Sequence, residues 1–155
     1  MRVVGIDPGV HGAVGYLSDS ETIVTDLPVY MIGTTSQVDA HALDQLLRAW
    51  EPHLVVVEDN RANGRNGSLA NYSMGFSMGT IIAVVTMLRF RLRRVRPVDW
   101  QREMGLATVP GPARKGASRR RAQELWPNLM PDLQRVADHN RAEALLIAEY
   151  EKRQP

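Results

Sequence analysis

Two continuous apolar runs rich in β-branched residues each end in a single acid. RVVGI (2–6) runs into Asp7, and LVVV (54–57) runs into Glu58. Strands that are apolar throughout must be covered on both faces, which is the condition of a parallel strand inside a layered sheet. Between the runs lie Leu43, Leu46, Leu47 and Trp50 at helical spacing, and Pro52 stops them. Strand, helix, strand in this order is a βαβ signature and an α/β fold.

The remaining punctuation fills in the order. Asp7–Gly12 is a turn containing Pro8 and Gly9, so Ala13–Leu17 pairs back on the first strand, and Glu21–Asp26 can complete an antiparallel meander. Residues 28–37 look like a loop. NRANGRNG (60–67) is turn-rich and expected to be mobile. Ser68–Arg89 reads as one long helix whose small residues Gly75, Gly79 and Ala83 recur every four positions, a row that lets another helix approach closely, within the chain or from a second copy. Arg93–Arg96 reads as a short strand and Val98–Met104 as a short helix. Ala107–Gly116 reads as a flexible loop, and Ser118–Trp126 as a helix that Ser118 can cap. Asp138–Tyr150 is the last helix. A chain of 155 residues suits one domain, 1–155.

Composition removes several classes of function. The chain has no cysteine, so disulfide frameworks and thiolate metal sites are excluded. The four histidines (His11, His41, His53, His139) form no HxxxH pair, which argues against zinc. TIIAVVTML (80–88) is too short to span a bilayer, and Asp7 interrupts the first apolar stretch, so no membrane partner and a cytoplasmic location are expected. The net charge of +2 hides an asymmetry: residues 89–121 hold eleven basic residues against two acids. Such a segment suits a polyanion, and all its basic residues except Lys115 are arginines, which pair well with phosphate. The alternative is a solvated basic face.

Acids ending neighbouring strands converge where open α/β sheets place their sites. Two adjacent carboxylates repel unless a cation lies between them, and an all-oxygen site suits Mg²⁺ or Mn²⁺. The last helix, ADHNRAEALLIAEY (137–150), adds Glu143, an acid flanked by Ala142 and Ala144 on an otherwise apolar face. At helical spacing His139 and Asn140 share a face with Glu143, whereas Asp138 is off that face and either caps the helix or joins the site from outside its first turn. Acids around a pair of divalent ions, together with a basic segment, point to metal-dependent phosphodiester hydrolysis on nucleic acid.

GIDPG, the apolar strand ending in Glu58, RPVDWQREMGL, KGASRRRAQELWP and DHNRAEALLIAEY together resemble the RuvC-type Holliday junction resolvases of the ribonuclease H-like superfamily. The similarity covers residues 1 to about 150, and its DH-x-RAE variant resembles phage-type members. The resemblance implies a mixed five-stranded sheet in the order 3-2-1-4-5 flanked by helices. It implies a homodimer whose two sites nick opposing strands of a four-way junction, with branched DNA as partner and two Mg²⁺ or Mn²⁺ ions per site. It carries catalytic roles to Asp7, Glu58 and Glu143, and puts Lys115 in a loop near the scissile phosphate. The family's fourth ligand position is Asn140 here, a departure. Asp138 is the expected substitute as a ligand, with His139 orienting water or protonating the leaving group. Arg61, Arg65, Arg114, Lys115, Arg119 and Arg120 are the expected DNA contacts. Competing readings are a broader nuclease acting on flaps and forks, and a junction-binding module without catalysis.

Overall fold

The computed structural model describes residues 1–60 and 67–155. Five strands form one mixed sheet: β1 (Val3–Asp7), β2 (Ala13–Leu17), β3 (Thr22–Asp26), β6 (Leu54–Glu58) and β7 (Arg91–Val95). Their order is β3-β2-β1-β6-β7. The first three make the antiparallel meander, while β6 and β7 run parallel to β1. This is the expected order 3-2-1-4-5. The numbers differ only because a hairpin intervenes: β4 (Val29–Ile32) and β5 (Thr35–Val38) pair antiparallel where a loop was expected. Gly33 takes the first of its two turn positions with the left-handed φ of 59° that short hairpin turns need.

Alternation along the strands sorts the core into two layers. Val4, Ile6, Val55 and Val57 face α1 (Ala40–Trp50) and α2 (Ser68–Met87). Val3, Leu54 and Val56 face the other layer, α3 (Pro97–Glu103), α4 (Gly111–Leu125) and α5 (His139–Lys152). By the same parity Asp7 and Glu58 belong to this second face. Asp39 caps α1 by accepting from the Ala42 N–H at 2.9 Å.

α5 sits unusually close to the sheet. Gly5 and Gly15 pair directly across β1 and β2. A Cβ at Gly5 would stand 2.2 Å from the Ala144 carbonyl oxygen, and one at Gly15 would stand 2.9 Å from the Leu145 nitrogen. The two glycines therefore make a flat seat for the helix, and Ala144 and Ala148 keep its underside thin.

α4 begins at Gly111, seven residues before the expected start, with Pro112 in its first turn. A proline there gives up no helical hydrogen bond, so PGP is a helix start and not a loop. Ser118 consequently lies inside the helix and does not cap it. The edge strand β7 carries exposed Arg91, Arg93 and Arg94, charges that discourage pairing with another sheet. Arg93 bridges to buried Glu151 of α5 at 2.7 Å, and Arg94 pairs with Asp59.

Candidate active site at the carboxyl ends of β1 and β6

Asp7 and Glu58 end two parallel neighbours whose register pairs Ile6 with Val57, so the two acids stand side by side. Both are buried, at 9% and 6% exposure. The Gly9 N–H lies 3.5 Å from Asp7 Oδ1, and Gly12 packs so tightly that a Cβ would meet the Asp7 carbonyl at 2.0 Å. The GIDPG turn thus fixes the backbone that carries Asp7.

Glu143 enters from α5, one residue before the alanine seated on Gly5. The close helix–sheet contact is what brings it to the strand ends. Its Oε1 accepts a hydrogen bond from Ser118 Oγ at 3.2 Å. Glu58 is held on both oxygens: Trp100 Nε1 donates to Oε1 at 2.7 Å, and Asn60 Nδ2 donates to Oε2 at 2.6 Å.

The two glutamates feel the charge of neighbouring acids. Burial pushes Asp7 up to about 6, against the Gly9 N–H and the Lys115 charge. Burial also pushes Glu58 up to about 7, against the Trp100 hydrogen bond, with the Asp7 charge adding to the rise. Glu143 is pushed up to about 7 by burial and by the charges of Asp7 and Glu58, opposed by Ser118 and Lys115. A set of acid oxygens that repel one another fits a hard divalent cation, which would replace that repulsion with attraction. Among the described residues, no three His, Asp or Glu side chains are gathered tightly enough to form a ready-made metal nest. Glu58 and Glu143 are each held by hydrogen bonds from the protein.

Lys115 stands on α4, not in a loop, one turn before Ser118, and its exposed side chain directs charge at Asp7 and Glu143. Asp138 is not brought to the three acids. It ends a 3₁₀ turn (Val136–Asp138) in which its carboxylate accepts from the Arg135 backbone N–H at 2.6 Å and from Arg135 Nε at 2.9 Å. Burial works to raise its pKa, but Arg135 and the Arg141 charge outweigh it and hold the carboxyl below its usual range. None of the three acids is influenced by it. The expected ligand Asp138 thus has a local arginine as its partner. His139 turns Nδ1 to the Val136 carbonyl at 2.9 Å. Asn140 donates to the His11 carbonyl at 2.5 Å, tying the start of α5 to the turn after Asp7.

Among the described residues, four of the eleven basic residues of the segment are paired with acids. Besides Arg93 and Arg94, Arg96 forks onto Asp99 and Arg121 pairs with Glu124. Arg114 donates to the Val109 carbonyl and Arg119 to the Gln134 carbonyl. Lys115 and Arg120 extend to solvent. Arg61 and Arg65, with most of the NRANGRNG segment, lie outside the described residues. Trp100 and Asn60 went unread as site residues. The available signal for Trp100 was chemical: a tryptophan at a core position needs a partner for its indole N–H.

No family model matches the chain. The chloroplastic Holliday junction resolvase MOC1 of Chlamydomonas reinhardtii is 32% identical over 83 residues, 54% of this chain but only 9% of that protein's length. Thermus thermophilus RuvC, solved in complex with a Holliday junction substrate, superposes with a TM-score of 0.64 at 16% identity, covering 98% of this chain and 93% of that one. A second T. thermophilus RuvC structure gives 0.62 at 19% identity, over 98% and 96%. The yeast mitochondrial Holliday junction resolvase Ydc2 gives 0.63 at 15% identity, over 96% and 76%. The chain has the RuvC-type, ribonuclease H-like fold.

Proposed function

We propose that the chain is a metal-dependent endodeoxyribonuclease that resolves four-way DNA junctions by paired nicking. The observation that carries this reading is the placement of Asp7, Glu58 and Glu143 about the carboxyl ends of β1 and β6, where Asp7 and Glu58 are buried, the Asp7 charge raises the pKa of both glutamates and the Glu58 charge adds to the rise of Glu143. These three would hold Mg²⁺ or Mn²⁺, with two ions per site. A divalent cation bound there supplies activation of a water and stabilisation of the departing 3′ oxygen. Lys115, exposed beside the acids, suits the scissile phosphate, and Arg120 on the next turn of α4 suits the flanking backbone. Distant likeness to a named Holliday junction resolvase, and to a RuvC crystallised on a junction, supports the choice of substrate.

A second copy fits the outer face of α2. Leu69, Tyr72, Phe76 and Met87 are exposed there, and a Cβ at Gly75 or Gly79 would touch nothing among the described residues. Among those residues the small-residue row is not used internally. By length and composition alone α2 could cross a membrane, but Met78, Ile81 and Val85 pack on the sheet, leaving one apolar face uncovered. Two symmetric sites match two-fold symmetric DNA.

The test is a substrate panel: a labelled four-way junction, a flap, a linear duplex and an RNA–DNA hybrid, each with Mg²⁺, Mn²⁺ or EDTA. Metal-dependent cuts on the junction, faster than on the flap, are expected. Equal or faster flap cleavage would make it a broader branched-DNA nuclease, and no cleavage of any substrate would leave a binding module.

A further inference from the structure

Three acids are needed to face a cation, yet each would be free to swing away from its neighbours' charge. Two of them are restrained from the helix layer by wholly buried, uncharged donors. Trp100 is 0% exposed and its indole N–H meets Glu58 Oε1 at 2.7 Å; Ser118 is 0% exposed and its hydroxyl meets Glu143 Oε1 at 3.2 Å. The indole ring belongs to the buried core cluster that includes Val56, Met104, Leu106 and Leu146. The other hold on Glu58, from Asn60, is partly exposed and adjoins the segment after β6. A neutral donor fixes a carboxylate without cancelling its charge, which an arginine or lysine in that place would do. We propose that Trp100 is a positioning residue that fixes the Glu58 carboxylate for divalent-cation binding, with Ser118 doing the same for Glu143. The inference rests on the proposed metal site.

The experiment measures binding of Mn²⁺ alone, by loss of the free-ion electron paramagnetic resonance signal, to the full chain without DNA. Wild type, Asp7→Asn, Trp100→Phe and Ser118→Ala are compared. In a Trp50→Phe, Trp126→Phe background, Trp100 is also replaced by benzothienylalanine, which keeps the bicyclic shape and removes only the N–H. Wild type is expected to bind and Asp7→Asn to bind much more weakly. Loss of the indole donor should weaken Mn²⁺ binding by roughly tenfold or more, as removal of a partner behind a ligand does, with the melting temperature of the benzothienyl protein matching its parent. Ser118→Ala should weaken it in the same direction. Undiminished Mn²⁺ affinity in the benzothienyl protein would overturn the positioning role while leaving the metal site standing. Absence of Mn²⁺ binding by wild type would instead overturn the site itself.

Discussion

Asp7, Glu58 and Glu143 each carry a raised pKa, and that has a sign for stability. Their ordinary values are 3.8 for Asp7 and 4.5 for the two glutamates, against about 6, 7 and 7 in the fold. Between those limits the folded chain holds more protons than the unfolded one, so stability falls as pH rises. Their contribution is fully present below about pH 4 and is lost as pH climbs through 6 to 7. Urea unfolding of the metal-free protein should therefore show this loss from pH 4.5 to 7.5, partly relieved in Glu143→Gln. Mg²⁺ should restore stability at pH 7.5 far more than at pH 5, because only ionised ligands bind it. At this scale the sequence was legible where a residue's place in a strand fixed its direction. Asp7 and Glu58 follow from their places at the ends of two apolar strands. Asp138 was not legible, since Arg135 three residues away claimed its carboxylate through a turn that no spacing rule announces. Ser118 was mistaken for a cap because the helix around it starts earlier.

α5 and the β1–β2 glycines form one device at the scale of elements. Gly5→Ala places a methyl against backbone atoms of Ala144 and Ala148 that cannot rotate away. The cost should be ~1–3 kcal/mol or more in urea unfolding, and the lifted helix should also lower Mn²⁺ affinity by moving Glu143. Gly116→Ala is the matched comparison: its methyl would meet only the Arg120 guanidinium at 3.5 Å, so a gain of about 0.5–1 kcal/mol in helix propensity is expected. If Gly5→Ala were as harmless, the close seat would not be what positions the helix. The glycines themselves carried no sequence signal, because their meaning depends on a helix about 140 residues away. The βαβ unit was legible through its apolar runs. The β4–β5 hairpin was not: its strands are exposed and half polar, so only Gly33 marked it.

Across the whole molecule, the sheet order places both strand acids side by side at the carboxyl ends of β1 and β6, on the face that carries α3, α4 and α5. The basic segment, conspicuous as a run of charge, divides between an edge strand, ion pairs and backbone caps, so fewer cations face a polyanion than the composition suggested. Junction binding should still weaken as salt rises, with a modest slope that Lys115→Ala and Arg120→Ala each reduce, measured by fluorescence anisotropy in EDTA. Exposed Leu69 and Tyr72 on α2 give the corresponding expectation for assembly: Leu69→Glu with Tyr72→Glu should shift sedimentation from dimer to monomer and abolish paired nicking while the fold persists.

Asp7, Glu58 and Glu143 would form one metal-dependent cutting site, and a single assay tests it. A labelled four-way junction is incubated with wild type, Asp7→Asn, Glu58→Gln and Glu143→Gln, with Mg²⁺ or EDTA. Junction binding is followed in the same reactions. Symmetric nicks by wild type only with Mg²⁺ are expected, with loss of cleavage and retained junction binding in each of the three variants. Cleavage that survives EDTA, or any one of the three substitutions, would contradict such a site.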